Sequence, residues 1–589
     1  MTDTNRMPRP ESQLQPGPLT LADWGTATPA DRAAHARRLE EADPAIFIGR
    51  PRPAPDGIPL AVKDNIDAAG WPTTAGCPAF SYRPDASAGA VARLEQAGWR
   101  VVAKTNLDQF ATGLVGVRSP YGVPENPFGQ GAIPGGSSSG SAVAVARGLV
   151  PVAFGTDTAG SGRVPAMMNN IVGLKPTRGL IPASGVVPAC RSLDCVSIFA
   201  LTVPDALAAL EAAAGPDPAD PFSRPVTLAP PRTGGWRVAV PDPAACPWHG
   251  DALGPQWWLA AVERLRGLGA TVETFDPTPF LAAAALLYDG PWVAERTAAV
   301  GDFVDAHWDA CDPAVRSIVR GGRGRTAIDA FRGLYRLAEL TAAAGAVWQR
   351  CDALMVPTAP RHWTVAEVAA EPIARNSALG TWTNFVNLMD LAAIAVPAGF
   401  HGNGLPVGVT LIGPAGSDRA LAAIGGAMHA AAAVPLGATG ASADAAALRP
   451  AVASGEGVAV AVFGAHLSGE GRAHALTALG AAPERAIRTA PAYRMVLLPG
   501  PPPRPGLVAV ERDGVAVDGE LWRVPERSLP GLLAEVRPPL ALGFVRLDDG
   551  SEVRGFVCAA GGEHAMADIS RFGGWRAWRR SLIEEGSPR

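Results

Sequence analysis

Lysine is the residue type whose positions carry the most chemical information in this chain. Of 51 Lys and Arg residues, only Lys63, Lys104 and Lys175 are lysines. A solvated surface accepts either cation, but a buried lysine amine can lose its proton near neutral pH, which a guanidinium cannot do. Lys63 ends the apolar run IPLAVK. We therefore predict that Lys63 is a buried, neutral amine able to act as a general base.

Two segments rich in glycine and serine could supply the group that such a base activates. GGSSSGS spans 135–141 and precedes a helix-like stretch, and GTDTAGSGR spans 155–163 and follows the strand-like VPVAF. Neither segment has the GK[ST] ending that gives a phosphate-binding loop its lysine, so nucleotide binding is set aside. Backbone N–H groups where a loop joins a regular element can face a developing oxyanion. The two segments together therefore indicate a serine nucleophile with an oxyanion-binding loop.

The nine histidines do not offer the usual base for a serine nucleophile. None lies in a GxSxG context followed by an Asp and a His, and no pair has the HExxH spacing of a metal site. Lysine remains as the base. The sequence therefore predicts a serine nucleophile with a lysine base, in a site that needs neither a metal nor a cofactor.

Short apolar runs alternate with helix-like stretches around these residues. Between 58 and 155, the strand-like runs IPLAVK, WRVVAK and VPVAFG flank the helix-like GAVARLEQAG, and the alternation continues from 202 to LPVGVTLIG at 405–413. This pattern is typical of an α/β fold, here with a mixed sheet. Later strand-length runs such as YRMVLLPG and EVRGFVCAA, separated by turn residues, predict a small β-rich α+β domain.

Composition sets the expected domain bounds. Residues 1–19 are polar and proline-rich and are predicted to be loose, and residues 20–437 form the catalytic domain. Residues 438–456 consist largely of Ala, Gly and Ser, which is linker composition. The small β-rich domain is predicted over 457–589.

Charge and cysteine usage exclude several classes of partner. A formal net charge of −4 with no long basic run argues against nucleic acid or an anionic membrane as the partner. The seven cysteines include no CxxC pair, which is typical of a reducing compartment. The amino-terminal segment has no apolar signal core, and no run of about 18 apolar residues occurs. We expect a cytoplasmic enzyme that acts on a small molecule.

Six segments of the sequence resemble the motifs of the amidase signature hydrolases. They are AVKDNI at 61–66, AKTNLDQFATG at 103–113, PGGSSSGSAVAVA at 134–146, GTDTAGSGRVPA at 155–166, GLKPTRG at 173–179 and GLPVGVTLIG at 404–413. Family members use a Ser, cis-Ser, Lys triad. The resemblance therefore implies Ser161 as the nucleophile, Ser137 as the bridging serine and Lys63 as the base.

The resemblance also implies how these residues act. Neutral Lys63 takes a proton from Ser137, which takes one from Ser161 as the Ser161 oxygen attacks an amide carbonyl. The peptide bond before Ser137 is expected to be cis. The oxyanion hole is expected to be formed by four backbone N–H groups, those of Thr158, Ala159, Gly160 and Ser161.

One further segment resembles the allophanate hydrolases within this family. LLYDGPWVAERTAAV at 286–300 contains Tyr288 and Arg296. If the segment is a single helix, a separation of eight residues returns to the same face. The resemblance implies that both residues bind the carboxylate of the substrate, allophanate, which suits the planar fork of arginine.

The predicted carboxy-terminal domain resembles the γ-glutamyl-cyclotransferase-like domain of the same enzymes. FGAHLSG at 463–469 and GELWRVP at 519–525 resemble its opening strand-turn and a later strand. The resemblance implies that the first domain releases ammonia and leaves N-carboxycarbamate. The second domain would assist its decarboxylation to ammonia and carbon dioxide, with His466 as the candidate residue.

Two alternatives stay open at this point. A general amidase or a glutamyl-tRNA amidotransferase A-type subunit would share the catalytic motifs. A non-catalytic binding protein is the second alternative, although all three triad positions are filled. The resemblance further implies a homodimer and a role in urea or cyanuric acid degradation. No biotin-carboxylase region is recognised, so we expect a functional association with a separate urea carboxylase or a biuret hydrolase.

Overall fold

The computed structural model describes residues 17–584 except 55, 229–230, 232–233, 451–456, 468–469, 471, 480, 499–503 and 559–566. The chain divides after Pro450 into two compact units. Most of the segment predicted to be loose, and the end of the predicted linker, lie outside the described residues. The predicted domain bounds therefore stay predictions.

A mixed ten-stranded sheet forms the centre of the first unit. Its strands are β1 (Ile58–Lys63), β2 (Trp99–Thr105), β3 (Val152–Asp157), β4 (Val172–Lys175), β5 (Cys195–Ala200), β6 (Arg237–Val240), β7 (Thr271–Thr274), β8 (Ala353–Pro357), β9 (Leu391–Phe400) and β10 (Pro406–Pro414). They lie in the order β2-β1-β3-β5-β4-β9-β10-β8-β6-β7, with parallel pairs at both ends and antiparallel pairs between. The predicted α/β fold with a mixed sheet is confirmed.

Helices cover this sheet. Those of the described first unit are α1 (Leu21–Gly25), α2 (Pro29–Glu41), α3 (Gly89–Gln96), α4 (Ser139–Ala146), α5 (Val164–Met168), α6 (Val203–Ala213), α7 (Gly254–Gly267), α8 (Thr278–Leu286), α9 (Trp292–Ala306), α10 (Pro313–Arg320), α11 (Ala327–Gly345), α12 (Val365–Ala370), α13 (Ala374–Leu379), α14 (Asn384–Leu388) and α15 (Asp418–Ala432). None of the helices in the described ranges is both long and apolar enough to cross a membrane.

The sheet is buried on both faces. Leu60 and Val62 belong to one apolar cluster, whereas Ala61 between them belongs to another. Successive side chains of a strand point to opposite faces, so the two clusters lie on opposite sides of the sheet. Helices on both faces account for the nearly uninterrupted apolar runs of these strands. Lys63, at the end of β1, consequently has no exposed surface.

Strand order brings the two Gly/Ser segments and Lys63 together. β1 and β3 are parallel neighbours, with Val62 paired to Phe154. Their carboxyl ends therefore meet at one edge of the sheet, so Lys63 lies beside the turn that follows β3. That turn contains Ser161.

The beginning of the predicted linker lies on the first unit. Leu448 is buried in the same apolar cluster as Leu436. The N–H of Ala438 donates to the carbonyl of Ala146 at 2.8 Å. These contacts attach the chain as far as residue 450 to the unit that carries the triad residues.

The second unit is a β-rich α+β structure. One five-stranded sheet has the order β12-β15-β11-β17-β16 and a three-stranded sheet the order β14-β13-β18. The elements are β11 (Val458–Val462), α16 (Ala473–Ala478), β12 (Ala482–Arg488), β13 (Tyr493–Leu498), β14 (Arg504–Ala509), β15 (Asp518–Val524), α17 (Leu529–Glu535), β16 (Leu540–Arg546), β17 (Glu552–Cys558), β18 (Ala567–Asp568) and α18 (Trp575–Glu584). The predicted strand-length runs are strands, and the α+β character is confirmed, while the individual strands β12 and β18 were not anticipated.

Candidate active site

Lys63 is held within hydrogen-bond distance of the first Gly/Ser segment. Its Nζ donates to Ser137 Oγ at 2.7 Å and to Thr156 Oγ1 at 2.7 Å. Burial lowers the pKa of Lys63 to about 7, although nearby carboxylates, first that of Asp108, oppose the shift. A large fraction of this lysine is therefore neutral near pH 7 and can accept a proton from a hydroxyl.

Ser137 is oriented by an irregular backbone. The Gly136–Ser137 peptide bond is cis. The carbonyl of Ser137 accepts the N–H of Asp108 at 3.0 Å, and the Asp108 carboxylate accepts the N–H of Gly116 at 2.9 Å. A Cβ at position 136 would overlap both that carboxylate and Gly116. Only glycine fits there, which explains the residue that precedes the bridging serine.

Ser161 lies buried in the turn between β3 and α5. Its Oγ donates to the carbonyl of Gly113 at 3.3 Å. Among the hydrogen bonds of the described residues, none joins Ser161 to Ser137. The Lys63–Ser137 half of the predicted relay is thus formed in this conformation, while the Ser161 hydroxyl has to turn from Gly113 to complete it.

An internal ion pair shapes the turn that carries Ser161. Asp157 accepts the N–H groups of Gly160 at 2.9 Å and Gly162 at 3.0 Å. Arg163 donates two hydrogen bonds to the same carboxylate, one from Nε and one from a terminal nitrogen, both at 2.9 Å. Burial alone would raise the pKa of Asp157, but the Arg163 charge and these hydrogen bonds hold it below its usual value. The carboxylate therefore stays ionised, and its hydrogen bonds fix the conformation of the turn.

Of the four N–H groups predicted to bind an oxyanion, that of Gly160 is already occupied by the Asp157 carboxylate. Gly160 has φ +127°, and a Cβ there would overlap Thr383. Within the described part of the chain, no acceptor is seen for the N–H groups of Thr158, Ala159 and Ser161. These three remain as the donors that a developing oxyanion could use.

Asp194 supports the same turn from a neighbouring loop. The hydroxyl of Thr158 donates to its carboxylate, which also accepts the N–H of Ala189 at 2.8 Å and of Cys190 at 3.2 Å. Burial raises the pKa of Asp194 to about 6, with the hydrogen bonds opposing the shift. Asp194 thus holds Thr158, whose N–H is one of the three that a developing oxyanion could use.

Tyr288 lies in the turn between two helices, and Arg296 lies in the second of these helices. α8 ends at Leu286 and α9 begins at Trp292, so the expectation of a single helix is wrong. The pair is nevertheless brought together, because the turn between the helices places the Arg296 guanidinium 5.4 Å from the centre of the Tyr288 ring. Tyr288 packs against the apolar cluster that contains Ala159.

Arg296 is a buried cation with spare hydrogen-bonding capacity near Ser161, the predicted nucleophile. It is 1% exposed, and one terminal nitrogen donates to Thr112 Oγ1 at 3.2 Å. Its Nε has no hydrogen-bond partner among the described residues. Thr112 directly precedes Gly113, whose carbonyl accepts the Ser161 hydroxyl. An anion held by Arg296 would therefore lie close to the reacting serine.

The sequence argument missed Thr112, whose hydroxyl accepts a hydrogen bond from Arg296. Phe110 and Ala111 before it both have φ +51°, a conformation that costs a residue other than glycine about 1–3 kcal/mol. This turn directs the Thr112 hydroxyl to Arg296 and the Gly113 carbonyl to Ser161. The available signal was its position at the end of the motif AKTNLDQFATG.

The other two lysines have partners that fit a structural role. Lys104 Nζ lies 3.3 Å from Asp64 Oδ1 and donates to Thr73 Oγ1 at 3.1 Å. Lys175 Nζ donates to the carbonyl of Pro176 at 2.7 Å. Both side chains are buried. Neither contacts Ser137 or Ser161.

His466 lines a pocket of the second unit. Its ring stacks on Phe556 with centres 5.1 Å apart and planes 11° from parallel. The pocket wall is largely apolar, and it also contains three arginines, Arg472, Arg504 and Arg537. Such a lining suits a small anion of which one part lies against apolar surface.

The chain belongs to the amidase family. Residues 22–422 match the family model described as Amidase, and residues 458–580 match the model described as Allophanate hydrolase C-terminal domain. The catalytic motifs of the first unit and the β-rich second unit are thus both matched, and the resemblance seen in the sequence is confirmed.

Comparisons with individual proteins agree with the two family matches. The solved structure of SeMet-substituted Kluyveromyces lactis allophanate hydrolase is 37% identical, with a TM-score of 0.74, and the match covers 96% of this chain and 99% of that one. Urea amidolyase of Lachancea kluyveri is 43% identical over 546 residues. That match covers 90% of this chain but only 30% of the relative, so the chain spans less than a third of the curated urea amidolyases. The solved A-type subunit of the glutamyl-tRNA(Gln) amidotransferase from Thermotoga maritima is 28% identical with a TM-score of 0.57, covering 70% of this chain and 94% of that chain.

Proposed function

We propose that this chain is an allophanate hydrolase that cleaves its substrate through an acyl-enzyme on Ser161. The observation that carries the proposal is the buried Arg296, joined through Thr112 to the loop whose carbonyl accepts the Ser161 hydroxyl. Nearly complete coverage of the Kluyveromyces lactis allophanate hydrolase, across both units, supports it.

The substrate fits the charges of the site. Allophanate is a urea that carries a carboxylate on one nitrogen, so its binding site has to hold an anion while the distant carbonyl is attacked. Arg296 can pair with the carboxylate in a planar, two-bond geometry, and Tyr288 lies against its guanidinium. Because Arg296 is buried, water does not compete with the substrate carboxylate for its hydrogen bonds.

The first chemical step uses the contact between Lys63 and Ser137. Lys63 takes the Ser137 proton, Ser137 takes the Ser161 proton, and the Ser161 oxygen bonds to the terminal carbonyl carbon. The N–H groups that are not otherwise engaged stabilise the oxyanion by about 3 kcal/mol per donor. The collapsing intermediate breaks the C–N bond, and the relay returns a proton to the departing ammonia.

The acyl-enzyme is then hydrolysed. Water gives a proton to the same relay, attacks the acyl carbon and releases N-carboxycarbamate, with the proton returning to Ser161. N-carboxycarbamate is a dianion that takes up one proton from solvent as it breaks down to carbon dioxide and carbamate. Carbamate takes up a second proton as it breaks down to ammonia and carbon dioxide. We place this second stage in the pocket of His466, where three arginines can hold carboxylates and the apolar wall favours loss of charge.

Rates of ammonia release from matched amides test the proposal. Malonamate keeps the carboxylate and replaces the bridging nitrogen, whereas biuret keeps the urea and replaces the carboxylate with an uncharged amide. We expect kcat/KM to be highest for allophanate, lower for malonamate and about 30- to 150-fold lower for biuret, since the charged pair contributes about 2–3 kcal/mol. Equal values for allophanate, glutamine and simple amides would favour a general amidase instead.

A glutamyl-tRNA amidotransferase subunit is the second candidate. Its Thermotoga maritima member matches 70% of this chain. Glutamine as the preferred substrate would support that candidate. A covalent fluorophosphonate adduct on Ser161 would argue against a non-catalytic binding protein.

Partners form the last part of the proposal. Allophanate has to come from carboxylation of urea or from hydrolysis of biuret, so a functional association with a urea carboxylase or a biuret hydrolase follows from the substrate. We also propose a homodimer in the cytoplasm. Size-exclusion chromatography with light scattering measures the oligomeric state.

A further inference from the structure

A short loop lies between helix α9 and the turn that joins β3 to α5. The N–H groups of Leu193 and Asp194 both donate to the carbonyl of Cys190, at 2.8 and 2.9 Å, which makes the loop a tight turn. Cys190 and Leu193 are buried in one apolar cluster with Ala159 of the turn after β3 and Trp292 of α9. The loop therefore shares its apolar packing with both segments.

Hydrogen bonds attach this loop to the turn after β3. The carboxylate of Asp194 accepts the hydroxyl of Thr158. Asn387 Nδ2 donates to the carbonyl of Asp157 at 2.7 Å and to the carbonyl of Leu193 at 3.1 Å. Because the N–H of Thr158 is one of those that a developing oxyanion could use, the loop is joined to the part of the site where the carbonyl of an amide has to lie.

Glu295 attaches the other side of the loop to α9. Its Oε1 accepts the N–H of Ser192 at 2.7 Å, and its Oε2 accepts the Ser192 hydroxyl at 2.9 Å. Two hydrogen bonds to one residue leave the carboxylate little freedom to rotate or shift. Arg296 is the next residue of α9, so a fixed Glu295 also fixes the backbone from which the Arg296 side chain extends.

We propose that Glu295 is a positioning residue that sets the distance between Arg296 and the turn of Ser161, and thereby selects amides by their length. The proposal rests on the proposed function, because it concerns the carboxylate that Arg296 holds there. Fast attack requires that this carboxylate reaches Arg296 while the amide carbonyl lies against Ser161. In allophanate one atom separates the carboxylate carbon from the carbonyl carbon, so a fixed spacing disfavours shorter and longer homologues.

A second polar contact of α9 near the site does not fix this spacing. One terminal nitrogen of Arg296 donates to Thr112 Oγ1 at 3.2 Å. A long arginine side chain has many rotamers and can keep such a bond while the helix backbone shifts. Glu295 has a shorter side chain, and one of its bonds ends on the backbone N–H of Ser192. It therefore holds the backbone of the helix against the backbone of the loop.

Steady-state kinetics with malonamate and succinamate test the proposal. Malonamate has one atom between the two carbons, as allophanate does, whereas succinamate has two. We expect the wild type to have the higher kcat/KM for malonamate. In Glu295→Ala, kcat for malonamate should fall about 30-fold or more because the carbonyl is misplaced, while KM should stay within about threefold because Arg296 remains. The ratio of kcat/KM for malonamate to that for succinamate should fall at least about tenfold.

Two matched variants separate this role from general damage. Glu295→Gln keeps an acceptor for the Ser192 N–H and a group that can bond to its hydroxyl, so the ratio should stay within about threefold of the wild type. Glu367 accepts an equivalent pair of bonds from the N–H and the hydroxyl of Thr364, at 2.8 and 2.9 Å. Glu367→Ala should leave the ratio unchanged. Loss of folded protein lowers kcat for both amides by the same factor, so it does not change the ratio either.

The outcomes distinguish this proposal from the proposed function. If the wild type hydrolysed malonamate no faster than uncharged biuret, the carboxylate site at Arg296 would be wrong, and the role of Glu295 would fail with it. If the wild type preferred malonamate to biuret but Glu295→Ala kept the wild-type length ratio, only the role of Glu295 would be overturned. A wild type without preference for malonamate over succinamate, or equal losses of the ratio in Glu295→Ala and Glu367→Ala, would overturn that role as well.

Discussion

Lys63 Nζ lies 2.7 Å from Ser137 Oγ, and both residues are fully buried. Burial lowers the pKa of this lysine to about 7, so a large fraction of the amine that contacts the hydroxyl is neutral at physiological pH. Ser137 follows a cis peptide bond, and Ser161 lies in the adjoining turn. Once the Ser161 hydroxyl turns from the Gly113 carbonyl to Ser137, a proton can pass from Ser161 to Lys63 along this path without a histidine.

Replacing the nucleophile should stop turnover. Ser161→Ala removes the oxygen that forms the acyl-enzyme, and we expect kcat for ammonia release to fall at least about 10⁴-fold with an unchanged melting temperature. Ser139→Ala is the matched control, since the buried Ser139 hydroxyl has no hydrogen-bond partner in the described part of the chain. Residual activity of Ser161→Ala within tenfold of the wild type would exclude Ser161 as the nucleophile.

Activity should rise with pH through the pKa of Lys63. Burial shifts this pKa from 10.5 to about 7, and only the neutral amine accepts the Ser137 proton. We therefore expect kcat/KM to increase as pH rises from 6 to 8 and then to level off, since below about 7 the lysine is protonated. Initial rates of ammonia release across this range measure the effect.

Asp194 provides the control for that profile, because its pKa is raised to about 6 by burial and it lies close enough to influence Lys63. Its negative charge raises the lysine pKa, so Asp194→Asn should move the rising limb to lower pH. If kcat/KM of Asp194→Asn no longer rose between pH 6 and 8, the titrating group would be the Asp194 carboxylate and not Lys63.

Arg296 should determine affinity for anionic substrates. Arg296→Met keeps a long apolar side chain but removes the charge, and we expect KM for allophanate to rise about 100-fold. Hydrolysis of uncharged biuret should change little, which separates loss of the carboxylate contact from general damage. Thr112→Val removes only the hydroxyl that orients Arg296 and should raise KM for allophanate by about tenfold. Equal losses on both substrates in Arg296→Met would contradict the assignment.

His466 should affect the second stage alone. In His466→Ala the first ammonia should appear at the wild-type rate, because the triad lies in the first unit. Carbon dioxide and the second ammonia should follow more slowly, at the rate of unassisted breakdown. Progress curves that follow both products test this, with the first phase as an internal control. If both products appeared at wild-type rates, His466 would have no part in decarboxylation.

The sequence predicted those features that depend on local pattern. Apolar runs ending at Lys63 and before Ser161 became parallel neighbouring strands, and strand pairing then placed both at one edge of the sheet. The depletion of lysine pointed to Lys63 because a buried lysine amine can titrate near pH 7, whereas an arginine guanidinium cannot. These properties are encoded within a few residues of each position.

The missing features depend on contacts between distant segments. Tyr288 and Arg296 meet because the chain turns between α8 and α9, which helical periodicity does not reveal. The N–H of Gly160 is occupied by Asp157 because Arg163 fixes that carboxylate within the turn. Thr112 lies 184 positions before Arg296, and its role becomes visible only when the fold brings them to 3.2 Å.

The turnover number of Lys63→Arg on allophanate tests the central claim most directly. Arginine keeps the positive charge but cannot become a neutral base, so we predict that kcat falls about 10³-fold or more. Lys104→Arg and Lys175→Arg should retain near-normal kcat and lose mainly stability. If Lys63→Arg turned over allophanate at a rate close to that of the wild type, a buried neutral lysine could not be the base of this enzyme.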